Sequence, residues 1–180
     1  MLRSRLITAA MLIPLVVLAI LWLPSGFFVW LIGLLMLLGA REMARLGGLK
    51  QVWEQLGYVA VILGLMGLSE FWLSPELNEG LRQLMALFWI GVSGLLIAWR
   101  REVTPVDRRR PGVLLIGGLI LIVAWQSIAA LHRQDAQGPA LVLFLFILIW
   151  VADSGAYFAG RAWGRRKLSP KISPGKTWAG

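Results

Sequence analysis

The stretch Pro139–Gly160, PALVLFLFILIWVADSGAYFAG, decides the fold class because it is long, apolar and carries a single charge, Asp153. A helix needs about 20 apolar residues to cross the roughly 30 Å hydrocarbon core of a bilayer. The rest of the chain is similar in character, since 58% of its 180 residues are hydrophobic and only 15% are charged. A water-soluble globule is excluded, because such proteins are about 45–50% apolar.

Five further apolar runs precede this stretch, each bounded by charged or turn residues. The first follows Arg3 and Arg5 as a secretory signal would, but it is longer than a signal's apolar region and no A-x-A site follows, so it predicts an uncleaved helix. Pro24-Ser25-Gly26 predicts a tight turn after it. Together the runs predict an all-α polytopic membrane protein with about six transmembrane helices, near residues 6–23, 27–40, 56–73, 84–99, 113–131 and 139–160, followed by a basic segment over 161–180.

The second run is shorter than a membrane span. It reaches full length only if the helix continues past Arg41 and Glu42, whose side chains would then snorkel to the interface. A re-entrant hairpin is the alternative for this segment.

The basic residues orient the helices. Of the 18 Lys and Arg residues, 16 fall at the ends of the chain and in alternate loops, which leaves only Arg82 and Arg133 on the other side. Because Lys and Arg in short loops are retained in the cytoplasm, both termini are predicted to be cytoplasmic. The formal net charge of +9 is interrupted by apolar runs, so it indicates anionic lipid or phosphate partners, and we expect no nucleic-acid partner.

The residue types present exclude several kinds of chemistry. The chain has no Cys and a single His, His132, which excludes disulfides, thiolate metal sites, a His-cluster metal centre and a Ser-His-Asp triad within these residues. Glu70 is placed near the outer end of the third span, where a structural role is predicted.

Asp153 is predicted to lie inside the membrane, about 10 Å from the cytoplasmic end of the last span. If the helix continues, Asp153, Tyr157 and Arg161 share one face with Gly160 and Gly164. Such a face, small and polar, could hold a hard cation or a phosphate. The alternative is a helix–helix seam in which Asp153 pairs with Arg161 or with another helix.

The last residues form a basic segment stiffened by two Ser-Pro steps. The sequence Gly175-Lys176-Thr177 suggests a P-loop, but Pro170 stands where the first glycine is required, and a membrane helix precedes it instead of a strand. A Pro-stiffened loop whose ammonium groups and hydroxyls hold the oxygens of a triphosphate is the remaining hypothesis. The alternative is a basic loop that serves only membrane topology.

Two blocks near the end, DSGAYFAGR at 153–161 and KLSPKISPGKTW at 167–178, resemble the corresponding block of the bacterial phosphatidate cytidylyltransferase (CDP-diacylglycerol synthase) family. LRSRLITA at 2–9 and REMARL at 41–46 are also similar to that family. The resemblance implies a multi-pass enzyme of the bacterial cytoplasmic (inner) membrane. Such an enzyme joins CTP to phosphatidic acid with Mg2+ and releases CDP-diacylglycerol and pyrophosphate.

The resemblance also implies roles for individual residues. Asp153 and Lys176 would be catalytic, and the substrate-binding residues would be Tyr157, Arg161, Lys167, Lys171, Ser173 and Thr177. The metal ligands stay unidentified, because the family's metal-binding signature lies downstream of Gly180 and Ala179 stands where the family usually has an acidic residue. We therefore expect these residues alone to be inactive, as a fragment or a truncated gene.

Two other functions stay open. The first is a CTP-dependent lipid kinase of the polyprenol or phytol type, which would release CDP instead of pyrophosphate. The second is a non-catalytic membrane protein. The lipid bilayer is a partner in every case, and the assembly is left open between a monomer and a homodimer.

Overall fold

The computed structural model of the protein describes residues 2–72, 74–98, 110–169 and 173–180. These residues form six helices and one two-stranded antiparallel sheet, which confirms the all-α fold class. The elements are α1 (Leu2–Trp22), α2 (Ser25–Leu46), α3 (Val52–Trp72), α4 (Pro75–Ala98), α5 (Pro111–His132), α6 (Gly138–Trp163), β1 (Lys167–Ser169) and β2 (Ser173–Thr177).

Four of these helices, α2, α3, α5 and α6, are long and apolar enough to cross a membrane. Helices α1 and α4 are not among the four. The protein is thus a multi-pass membrane protein, whereas spanning by α1 and α4 stays a prediction. The cytoplasmic location of both termini also stays a prediction.

The connection between α1 and α2 differs from the predicted turn. Helix α2 begins at Ser25, so Ser25 and Gly26 lie in its first turn, and the chain changes direction at Leu23 and Pro24. Pro24 has φ −53° and ψ 141°, an extended conformation that its ring permits and that places the next residue at the start of a helix. The predicted turn was therefore wrong for Ser25 and Gly26, which are helical, and right for Pro24.

Helix α2 runs without a break past Arg41 and Glu42 to Leu46. This confirms the predicted continuation and excludes the re-entrant hairpin. Both charged side chains are exposed, and Glu42 pairs with Arg45 one turn later at 3.1 Å.

The chain divides into two compact units. The first comprises Met1–Ala86 and Asp107–Leu143, and in it α2 packs against α5 and α3 while α3 also contacts α5. Trp125 of α5 is fully buried, and its indole N–H donates to the carbonyl of Val29 in α2 at 2.9 Å. A side chain on Gly33 would lie 3.2 Å from that indole nitrogen, so this glycine lets α2 approach Trp125 closely.

His132 joins the end of α5 to the connection between α1 and α2. Its Nε2 lies 2.9 Å from the carbonyl oxygen of Ile20, its Nδ1 lies 3.0 Å from the hydroxyl of Ser25, and its ring stacks on Phe28. Just beyond, Arg133 pairs with Glu70 of α3 at 2.6 Å. The carboxylate of Glu70 is therefore neutralised by a partner that the sequence did not identify.

The second unit comprises Leu87–Val106 and Phe144–Gly180. Its described part contains the second half of α4, most of α6 and the hairpin formed by β1 and β2. Residues 151–158 of α6 are exposed, so the described residues leave the side chains of Asp153 and Tyr157 uncovered.

Candidate functional site

The predicted polar face of α6 is present because the helix continues to Trp163, beyond Arg161. Asp153, Tyr157 and Arg161 are each one turn apart, which places them on one face. The guanidinium of Arg161 donates to the hydroxyl of Tyr157, with 3.2 Å between Nη1 and the oxygen. At 1.5 Å per residue, Asp153 lies about 15 Å from the end of the helix.

Asp153 is not paired with Arg161, which was one of the two pairings that the seam alternative allowed. Within the described part of the chain, its exposed carboxylate forms no hydrogen bond or ion pair, while Arg161 is bonded to Tyr157. A carboxylate at this depth in a membrane helix costs at least about 2.5–3.5 kcal/mol on insertion scales, so it needs a partner or a function. The carboxylate is thus available to a ligand.

The basic segment that was predicted as a loop contains a short β-hairpin. Lys167 of β1 pairs with Thr177 of β2, and Ser169 pairs with Ser173. Beyond the strands, the N–H of Trp178 donates to the carbonyl of Arg166 at 3.0 Å, and the Arg166 guanidinium lies 5.4 Å from the centre of the Trp178 ring. This cation–π contact and the backbone bond hold the open end of the hairpin together.

Thr177 of the hairpin is buried, with 8% of its surface exposed. It lies against Gly160 of α6 and against Gly164, which directly follows the last residue of that helix, since a Cβ on Gly164 would be 2.7 Å from its hydroxyl oxygen and one on Gly160 would be 3.2 Å from it. That oxygen also accepts a hydrogen bond from the N–H of Gly180 at 3.2 Å. The sequence predicted that Gly160 and Gly164 share a face if the helix continued, but the helix ends at Trp163, before Gly164. The sequence did not indicate that the hairpin packs against these two glycines.

The remaining predicted site residues have different environments. Lys167 and Lys176 are exposed, Ser173 is half-buried, and Lys171 lies outside the described residues. Among the described residues, no hydrogen bond or ion pair joins Asp153 to either exposed lysine. The structure therefore brings Tyr157 to Arg161 and Thr177 to α6, but among the described residues it does not pair Lys167 or Lys176 with Asp153.

A metal ion would find few ligands here. The described residues contain no group of three or more His, Cys, Asp or Glu side chains that could hold a metal. Asp153 alone fits one role, because Mg2+ is often held by one or two carboxylates together with substrate phosphates and water. The observation that permits this is that no described side chain pairs with its carboxylate.

The helices and their apolar surfaces define the class first, a multi-pass α-helical membrane protein. Comparison with known sequences then shows the family: the cytidylyltransferase family model matches residues 3–180, so the chain belongs to the cytidylyltransferase family.

Individual relatives agree with this. Phosphatidate cytidylyltransferase from Pseudomonas aeruginosa is 38% identical over 180 residues, which cover all of this chain and 65% of that protein. The enzyme of the same name from Haemophilus influenzae is 32% identical over 197 aligned positions, covering all of this chain and 67% of that protein. The chain thus spans about two thirds of the length of these relatives. No solved structure matches.

Proposed function

We propose that the protein is a nucleotidyltransferase that makes CDP-diacylglycerol from CTP and phosphatidic acid. The observation that carries the proposal is that the polar face of α6 and the basic hairpin both lie within the 180 residues aligned with the Pseudomonas aeruginosa phosphatidate cytidylyltransferase. The same segments hold an Arg–Tyr pair, a carboxylate that has no partner among the described residues and two exposed lysines, which suit polyanionic substrates.

In this reaction a phosphate oxygen of phosphatidic acid attacks the α-phosphorus of CTP. The bond between the α-phosphorus and the oxygen that bridges to the β-phosphate breaks, and pyrophosphate leaves with the electron pair. Both reactants are polyanions, so the site must neutralise charge before the two phosphates can approach.

Each residue has a role in the proposal. The exposed ammonium groups of Lys167 and Lys176 bind oxygens of the triphosphate, with Lys171 and Ser173 contributing from the same segment. Arg161 contacts phosphate through its planar guanidinium, which the hydroxyl of Tyr157 orients by accepting one of its N–H groups. Lys176 is the residue that we assign to charge developing on the leaving group.

Mg2+ is part of the proposal. Asp153 would hold it together with phosphate oxygens of the substrates, and the ion would supply positive charge against them.

The proposal also covers partners and location. Phosphatidic acid enters from the bilayer and CTP from the cytoplasm, in the bacterial inner membrane, and no nucleic acid takes part. A homodimer and a monomer are both compatible with it.

Product analysis tests the proposal. Membranes that contain the protein are supplied with CTP, phosphatidic acid and a polyprenol, which is the hydroxyl acceptor that a lipid kinase would need. We expect CDP-diacylglycerol and pyrophosphate in equal amounts. Release of CDP with a phosphorylated lipid alcohol would instead support the lipid kinase, and no turnover of either kind would favour the non-catalytic protein.

A further inference from the structure

The hairpin contacts α6 through a surface with almost no side chains. Ala156 and Gly160 are four residues apart and so share one face of α6, and Gly164 directly follows the end of the helix at Trp163. Thr177 and Gly180 lie on this face: a Cβ on Gly180 would be 2.5 Å from the carbonyl oxygen of Ala156 and 3.1 Å from the Cα of Gly160. We call these five residues the docking seam.

The space available for an added methyl group differs between the glycines in and near the docking seam. A Cβ on Gly164 would lie 2.7 and 2.8 Å from the two branches of Thr177 and would also meet the carbonyl oxygen of Gly160. A Cβ on Gly160 would meet the Thr177 hydroxyl at 3.2 Å, whereas one on Gly155 would have nothing within 4 Å. An alanine at position 164 would therefore force its neighbours to move. An alanine at position 160 would need a shift of a few tenths of an ångström, and an alanine at position 155 would need none.

The hydroxyl of Thr177 already has a structural partner. It accepts the N–H of Gly180, and the residue is 8% exposed, in contrast to the exposed residues Gly175, Lys176 and Trp178 around it. A substrate oxygen could reach this hydroxyl only after the hairpin moved away from α6. Burial and hydrogen bonding therefore assign Thr177 to the docking seam.

We infer that Gly160, Gly164 and Thr177 are positioning residues that fix the hairpin on α6, and that Thr177 acts through this packing instead of contacting CTP. Lys176 directly precedes Thr177, so the docking seam fixes the backbone from which this ammonium group extends. The effect on catalysis rests on the proposed function, whereas the packing itself does not.

A distance measurement tests the packing directly. Because the chain has no Cys, spin labels can be attached at introduced cysteines replacing Val151 on α6 and Gly175 on the hairpin, both exposed. We expect Gly164→Ala to shift or broaden the distance distribution, Gly160→Ala to do so less, and Gly155→Ala to leave it unchanged. An unchanged distribution in Gly164→Ala would overturn the inference.

Kinetics in the unlabelled full-length protein test the consequence. Misplacement of a reacting group by about 1 Å can cost about a hundredfold in rate, so Gly164→Ala, which adds no polar group, is expected to lower kcat/KM by about ten- to a hundredfold. Thr177→Ser keeps the oxygen that binds Gly180 and is expected to retain activity within about threefold, whereas Thr177→Val is expected to shift the label distance and to lower kcat.

The alternatives give different results. If Thr177 contacts CTP, Thr177→Val raises KM for CTP while the label distance stays unchanged, and the inference is wrong. If Gly164→Ala shifts the distance without changing the kinetics, the seam has no positioning role. If the unmodified protein makes no CDP-diacylglycerol, the proposed function fails, and the distance order among the three glycine variants still decides the packing.

Discussion

At the scale of single residues, His132 shows how a polar side chain is used inside the helical unit. The last carbonyl groups of a helix have no partner within it, and Ile20 is near the end of α1. A carbonyl can only accept, so Nε2 of His132 carries the proton that bonds Ile20, and in the neutral ring Nδ1 accepts from Ser25. The sequence could exclude a catalytic triad with this histidine, but it could not indicate these partners, which lie more than 100 residues away.

His132→Phe is expected to destabilise the protein. Phenylalanine preserves stacking on Phe28 but leaves the Ile20 carbonyl without its buried donor, which costs about 1–3 kcal/mol. Thermal or denaturant unfolding in detergent micelles measures the loss. Ser25→Ala serves as the control and should cost less, since the bond to Ile20 remains. Equal stability of His132→Phe and the unmodified protein would contradict the role of His132.

Asp153→Asn tests the site at the same scale. Asparagine has nearly the same shape but no charge, so we expect turnover to fall by about 10²–10³, a loss typical of removing one positioned electrostatic contact. Membrane insertion should be unchanged, because removing a charge lowers the cost of insertion. The CDP-diacylglycerol assay and the yield of membrane-bound protein measure the two effects. Near-normal turnover would exclude Asp153 from the site.

At the scale of elements, hydrophobic runs identified the helices well because a membrane span needs length and apolarity, and both can be read from sequence. The continuation of α2 beyond Ala40 followed from length alone. The β1–β2 hairpin was not predicted, since its strands are short and β2 contains Pro174 and Gly175, residues that are rare in strands. The hairpin packs against Gly160 and Gly164 through Thr177. The spacing of the two glycines could be read from the sequence, but their contact with Thr177 could not.

Close packing of α3 on α5 depends on Gly118. A Cβ there would lie 2.8 Å from Ile62 and 2.9 Å from the hydroxyl of Tyr58, which donates to the Leu114 carbonyl at 2.7 Å. We expect Gly118→Ala to destabilise the protein by about 1–3 kcal/mol through overpacking, measured by unfolding in detergent. Gly112→Ala, in the first turn of the same helix with open space around it, is the control. Equal effects of the two substitutions would contradict this packing.

At the scale of the whole molecule, charge and apolarity carry most of the information in the sequence. They gave the membrane class, and the motif blocks gave the family that the comparisons show over residues 3–180. The relation of Asp153 to the lysines could not be predicted, because helix periodicity orders residues along α6 but does not place a separate hairpin beside it.

The topology prediction can be tested in the cysteine-free chain. Single cysteines replacing Glu79 and Asp135 should react with a membrane-impermeant maleimide added to intact spheroplasts, whereas cysteines replacing Lys50 and Arg165 should react only after the membrane is opened. The reverse pattern would mean that the distribution of basic residues does not set the orientation.

The fate of the individual phosphates of CTP directly tests whether the protein makes CDP-diacylglycerol. The complete protein is supplied with phosphatidic acid and with CTP labelled either at the α-phosphate or at the γ-phosphate. If the protein transfers the cytidylyl group, the α-label enters the lipid as CDP-diacylglycerol and the γ-label leaves as pyrophosphate. Transfer of the γ-label into lipid, with the α-label recovered in CDP, would contradict it.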